Sequence, residues 1–127
     1  MEQSWDERYA NPNFIYGIEP NLYFEKKINT IFPKGNILLP AEGEGRNAVY
    51  AALTGWNVTA FDSSTVAKHK ALNFALEKNV RIEYQTFGVE DSNYQSMSFD
   101  SIALIYTHFP EQVRAPFFKK IVSWLKP

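Results

Sequence analysis

The residues best suited to chemistry stand in one stretch of the chain, NILLPAEGEGRNAVYAALTGWNVTAFD, residues 36–62. Ala41, Glu42, Gly43, Glu44 and Gly45 form an acidic, glycine-bearing turn, and Asp62 closes the stretch. Gly43 to Ala48 fits the spacing G-x-G-x-x-A, in which glycines let a backbone turn tightly between a strand and a helix. Asp62 stands where such a unit holds a ribose diol. Charge then sorts the ligands. A dinucleotide sets a pyrophosphate against this turn and the helix that follows it. A carboxylate in contact with that dianion costs about 4 kcal/mol at an effective dielectric of about 20.

S-adenosylmethionine (SAM) has no phosphate and carries a sulfonium and an ammonium, which an acidic turn accepts. Two placements compete for Glu42 and Glu44: beside such a cation, or simply in water, as most loop carboxylates are. Gly43 and Gly45 are needed for close backbone approach whatever the ligand. Asp62 has a competing role as cap of the next helix, but Ser63 and Ser64 can serve there.

The elements that must position these residues follow from pattern. An apolar strand is expected at 36–39, ended by Pro40, which has no N–H to donate. A helix follows from Arg46 to about Thr54, closed by Gly55, and a second strand runs over 57–61. Further helices are expected at about 65–78, with Val66, Ala67, Ala71, Phe74 and Ala75 buried, and at 22–32, with Leu22, Ile28, Ile31 and Phe32 inward. Asn21 can cap the latter. A short helix from Trp5 to Ala10 begins at a Ser4/Glu7 capping box. Ile82 to Thr86 alternates as a third strand, 87–98 is a polar connection, and 101–106 is a fourth strand. Pro116 predicts a separate turn at 110–114 and a last helix over 115–125, burying Phe117, Ile121, Trp124 and Leu125. Strands alternating with helices give an α/β, Rossmann-like parallel sheet with helices on both faces, in one domain covering 1–127.

Composition sets the outer bounds. Thirteen basic and fourteen acidic residues leave no footprint for nucleic acid or an anionic membrane. The absence of cysteine excludes a disulfide framework, a thiolate nucleophile and cysteine-bound metal. No apolar run has the length of a membrane span, and the first residues do not read as a secretory leader, so a cytosolic chain is expected.

Four segments together resemble the class I SAM-dependent methyltransferases, and within them the thiopurine and tellurite-resistance group. These are WDERYANPNFIYGIEPN (5–21), AEGEGRNA (41–48), VTAFDSS (58–64), and FDSIALIYTHFPEQVR (99–114) followed by LKP (125–127). The resemblance implies a lid at about 1–21 over the cofactor, the glycine turn and Ala41 beneath it, and Asp62 with Ser63 at the ribose. Gly88 and Val89 would lie near the adenine and Tyr106 at the end of the fourth strand. It implies acids where Leu39 and Gly88 stand, and glycine where Ala41 stands. Glu90, Asp91 or the backbone around Val89 can take the adenine role. It also implies three further strands after Pro127. Without them the 101–106 strand is an open apolar edge, which fits a fragment, a shortened chain or a homodimer that pairs such edges.

Methyl transfer from a sulfonium mainly needs positioning and exclusion of water, so a soft small-molecule acceptor requires no dedicated base. Trp5, Tyr9 and Tyr16 can line the cation, or Trp5 and Tyr9 can anchor the first helix. Arg8 can pair with the cofactor carboxylate or sit in solvent. His108, at the mouth of the fourth strand, can touch the acceptor or be a plain loop residue. The two histidines do not make a metal site. The expected activity is methyl transfer from SAM to a small molecule. The alternatives are a SAM-binding or interaction module without turnover, and an NAD-binding domain.

Overall fold

The computed structural model describes residues 5–105 and 111–127. Short helices α1 (Trp5–Tyr9) and α2 (Leu22–Ile28) precede β1 (Asn36–Pro40), α3 (Arg46–Leu53), β2 (Asn57–Asp62), α4 (Thr65–Glu77) and β3 (Glu83–Thr86). A single 3-10 turn, Val89–Asp91, leads towards β4 (Ser101–Ile102), and α5 (Glu111–Trp124) closes the chain. The described strands form one parallel sheet in the order β3-β2-β1-β4.

Because strand side chains alternate, the sheet has two apolar faces, and each is covered. Ile37 and Leu39 of β1 and Val58 and Ala60 of β2 join Phe24, Ile28, Ala48, Val49, Ala51, Ala71, Phe74 and Ala75 from α2, α3 and α4. Leu38 and Phe61 point the other way, into a cluster with Phe99, Phe117, Ile121 and Trp124. Tyr94 braces that second cluster edge-on, with ring centroids 5.1 Å from Trp124 and 5.3 Å from Phe99. The expected α/β sheet with helices on both faces is what forms.

Local chemistry sets the helix starts. The Asn21 side chain accepts from the Phe24 N–H at 3.0 Å, and Ser64 Oγ accepts from the Ala67 N–H at 3.1 Å. Ser4 lies outside the described residues, so the Ser4/Glu7 box cannot be placed.

Three expectations change. The helix expected at 22–32 stops at Ile28, with Asn29 as its cap. Its buried residues are Phe24 and Ile28, while Leu22 and Phe32 are 73% and 72% exposed. A two-turn helix can press only one i, i+4 pair onto the sheet, and Phe24/Ile28 is that pair. Pro116 does not divide the last helix. Its missing donor would have reached the carbonyl of Gln112, and both residues are exposed, so water can serve that carbonyl. Burial of Phe117, Ile121 and Trp124 holds the helix across the proline, and Leu125 is only half-buried. The fourth strand is shorter than expected: Ser101 and Ile102 pair with β1, and the Ala103 N–H reaches the Leu38 carbonyl at 3.0 Å. Tyr106 lies outside the described residues. Among the described residues no helix is long and apolar enough to cross a membrane.

Phe24 therefore carries the packing that the sequence assigned to Leu22 and Phe32. Phe24→Ala is expected to cost about 3–5 kcal/mol, and Leu22→Ala less than about 1 kcal/mol. Urea denaturation of the two variants checks this; equal losses would return Leu22 to the core.

Candidate functional site

The site begins where β1 runs out. Three of the next five residues have left-handed backbone: Ala41 (φ 52), Gly43 (φ 69) and Gly45 (φ 91). At Ala41 that conformation costs about 1–2 kcal/mol relative to an ordinary one, which accounts for the glycine that the resemblance implies there. The Glu42 N–H reaches across to the Phe61 carbonyl at 3.0 Å, tying the turn to β2.

The Gly43 peptide is held from two strands. Its N–H donates to Asp62 Oδ2 at 3.0 Å, and its carbonyl accepts from the Tyr84 hydroxyl at 2.5 Å. A Cβ on Gly43 would stand 2.7 Å from the Tyr9 hydroxyl, and one on Gly45 would stand 2.7 Å from the Ala71 Cβ of α4. The close approach at these glycines is thus made by α1 and α4.

Asp62 ends β2. Its other oxygen, Oδ1, accepts from the Ser64 N–H at 3.0 Å, and its carbonyl accepts from the Phe87 N–H at 3.1 Å. That last bond draws Gly88 and Val89 alongside, while Ser63 is exposed at the rim. Burial raises the Asp62 pKa, opposed by the N–H groups of Ser64 and Gly43. A carboxylate has about four acceptor positions; Gly43 and Ser64 use two and the Ser63 N–H also bears on it, so capacity for a ribose hydroxyl remains.

Both glutamates of the turn are held by the chain, Glu42 half-buried and Glu44 buried. Glu42 Oε2 accepts from the Ala48 N–H at 2.6 Å, inside the first turn of α3. Burial pushes its pKa up to about 7, against the hydrogen bonds from Ala48 and Asn47. Glu44 is 5% exposed; its Oε1 accepts from the Ile15 N–H at 2.7 Å, and Oε2 pairs with the Lys70 ammonium. Glu44 is therefore turned inward, a placement neither sequence alternative included. Leu39 is 1% exposed and belongs to the core.

The N-terminal segment crosses this turn. Tyr9 is buried, and Arg8 is half-buried on α1. Tyr16 is 53% exposed with the Arg46 guanidinium 5.7 Å from its ring centre. The backbone of Trp5 opens α1, and its side chain is outside the described set. Tyr106 and His108 lie outside the described residues as well. Tyr84 is the residue that sequence reasoning passed over, and Tyr9, expected to line the site or to anchor the first helix, is buried against Gly43. Burial raises both phenol pKa values, with Asp62 adding to each. The available signal for Tyr84 was its alternation with Ile82, which sends a buried hydroxyl towards the turn in search of a partner. Among the described residues no group of His, Asp and Glu could hold a metal ion.

Residues 37–127 match the family model of the methyltransferase domain, and the chain belongs to that family. A putative S-adenosyl-L-methionine-dependent methyltransferase from Methanococcus maripaludis is similar with a TM-score of 0.81 at 19% identity, over 99% of this chain and 62% of that one. Phosphoethanolamine N-methyltransferase 1 of Haemonchus contortus, in complex with phosphoethanolamine and S-adenosylhomocysteine, gives 0.75 at 16% identity, over 96% and 28%. Magnesium protoporphyrin IX methyltransferase from Synechocystis, with bound SAM, gives 0.69 at 14% identity, over 81% and 53%. At these identities the likeness establishes the fold. The chain spans roughly half the length of such structures, with 55% and 62% coverage in two of them. Among curated proteins none matches.

Two measurements address the turn. Tyr84→Phe leaves the Gly43 carbonyl unpaired and is expected to cost about 1–3 kcal/mol in urea denaturation; no loss would mean the phenol is not needed there. Glu42 gives a pH signature. Its folded pKa of about 7 lies above the ordinary 4.5, so the fold holds a proton that the unfolded chain releases. The stability this confers is complete below the ordinary value and is lost as pH rises through the folded one. The melting temperature of the ligand-free chain should therefore fall between about pH 5 and pH 8, and Glu42→Gln should flatten that fall.

Proposed function

We propose that the crevice above the glycine turn binds SAM and that the chain is the cofactor-binding part of a SAM-dependent methyltransferase with a small-molecule acceptor. One observation carries this: the N-terminus of α3, where a dinucleotide would seat its diphosphate, is already filled by the chain's own Glu42 carboxyl group. The remaining polar groups, Asp62 and the backbone around Gly88 and Val89, suit a nucleoside. A cationic ligand without phosphate fits that set of donors and acceptors.

When bound, the cofactor supplies a methyl carbon already activated by sulfonium. The chain's own part is positional. Asp62, fixed by two backbone N–H groups, accepts from the ribose hydroxyls. The loop at Gly88 and Val89 borders the base. Glu42, beside the turn, provides the negative charge that the resemblance implies at Leu39, and Tyr9 with Arg8 covers the crevice from α1. A positive ligand beside Glu42 favours its ionised form, so affinity should rise as pH passes through about 7. The likeness of segments 5–21 and 99–114 to the thiopurine and tellurite-resistance group supports a thiol or metalloid acceptor.

Calorimetric titration tests the site. S-adenosylhomocysteine should bind and NAD should not, and Asp62→Ala should weaken binding by at least about tenfold, some 1.4 kcal/mol. An unchanged dissociation constant in that variant removes Asp62 from the site, and NAD binding alone overturns the assignment. Formation of S-adenosylhomocysteine from SAM with a thiol acceptor then separates an enzyme from a binding module.

A further inference from the structure

Lys70 has no part in the cofactor chemistry above, yet its ammonium is a junction. It pairs with the inward Glu44, donates to the carbonyls of Asn11 at 2.7 Å and Asn13 at 3.0 Å, and lies 4.9 Å from the ring centre of Phe14. Its side chain is 15% exposed and that of Glu44 is 4% exposed, so the pair is shielded from water. Glu44 holds the Ile15 N–H with its other oxygen. Residues 11–15, which have no regular structure of their own, are thus pinned to α4 by one charge and to the glycine turn by the other.

The flanks are tied separately. Arg46 Nη1 reaches the Glu19 carbonyl at 3.3 Å, and Asp6 Oδ1 meets the Ser64 hydroxyl at 2.5 Å and the Val66 N–H at 3.4 Å. Phe14 adds an edge contact to Phe74, with centroids 5.3 Å apart. The Lys70–Glu44 pair joins the segment, the turn and α4 at one point. Shielded pairs of this kind tend to specify an arrangement more than they add stability.

We propose that Lys70 is a positioning residue: with Glu44 it latches residues 11–15 across the glycine turn and so sets how fast a bound cofactor leaves. The latch itself belongs to the ligand-free chain. Its effect on departure rests on the SAM site proposed above.

Lys70→Met alone strands a shielded carboxylate and can unsettle the fold, so the informative variant is Glu44→Gln with Lys70→Met, in which neither charge is left behind. Limited digestion of the ligand-free chain with chymotrypsin reads the latch directly. Cleavage after Phe14 and Tyr16 should rise about tenfold in the double variant, without faster cleavage in the sheet, and Lys70→Arg should restore it. Stopped-flow dissociation of S-adenosylhomocysteine reads the consequence, with release about tenfold faster and association changed much less. Unchanged cleavage overturns the latch. Faster cleavage with unchanged release overturns the positioning role. Failure of the unaltered chain to bind S-adenosylhomocysteine counts against the proposed function and equally against the release effect, while the digestion still decides the latch.

Discussion

Gly43 is where three neighbouring strands, β1, β2 and β3, are tied together. It stands in the turn that leaves β1 after Pro40, its N–H is taken by a carboxylate at the end of β2, and its carbonyl is taken by a phenol from β3. A buried peptide left without such partners costs about 1–3 kcal/mol for each group, and a bond to a charged acceptor returns about 1.5–3 kcal/mol. Two constraints follow from that geometry. The turn is left-handed at alternate residues, and a side chain at Gly43 would be strained by its φ of 69 and would have to displace the Tyr9 hydroxyl.

The same geometry explains how three carboxyl groups coexist around so small a turn. Each is given its own donors. Asp62 takes the N–H groups of Gly43 and Ser64, Glu42 takes that of Ala48, and Glu44 takes that of Ile15 and the Lys70 ammonium. Burial still raises the Glu42 pKa to about 7, against the hydrogen bonds from Ala48 and Asn47 and the charge of Arg46. The positive end of α3, open to anions in many nucleotide-binding folds, is satisfied from within.

Coverage of the turn comes from a segment with little structure of its own. Residues 10–20 contain no helix or strand, and their order is borrowed from Lys70, Glu44, Arg46 and Phe74. None of its hydrogen bonds to Glu44, Lys70 and Arg46 belongs to the strand ladder.

Much of the architecture could be read from the chain in order. Apolar runs at 37–39 and 58–61, the Asn21 and Ser64 caps, and the alternation at Ile82 and Tyr84 are local signals, and local signals survive folding. The glycine turn and Asp62 were legible for the same reason: a tight bend between strand and helix leaves few choices of residue. The length of α2 and the unbroken α5 were not legible, because each was settled by which side chains the sheet could cover, Phe24 and Ile28 in one case and Phe117, Ile121 and Trp124 in the other. The directions of Glu42 and Glu44 were likewise decided in three dimensions. Sequence determined that acids would flank the bend. Only the tertiary structure decided that one would cap α3 and the other would reach Lys70, twenty-six residues away, because a charge is placed by the donors that fold around it rather than by its neighbours in the chain.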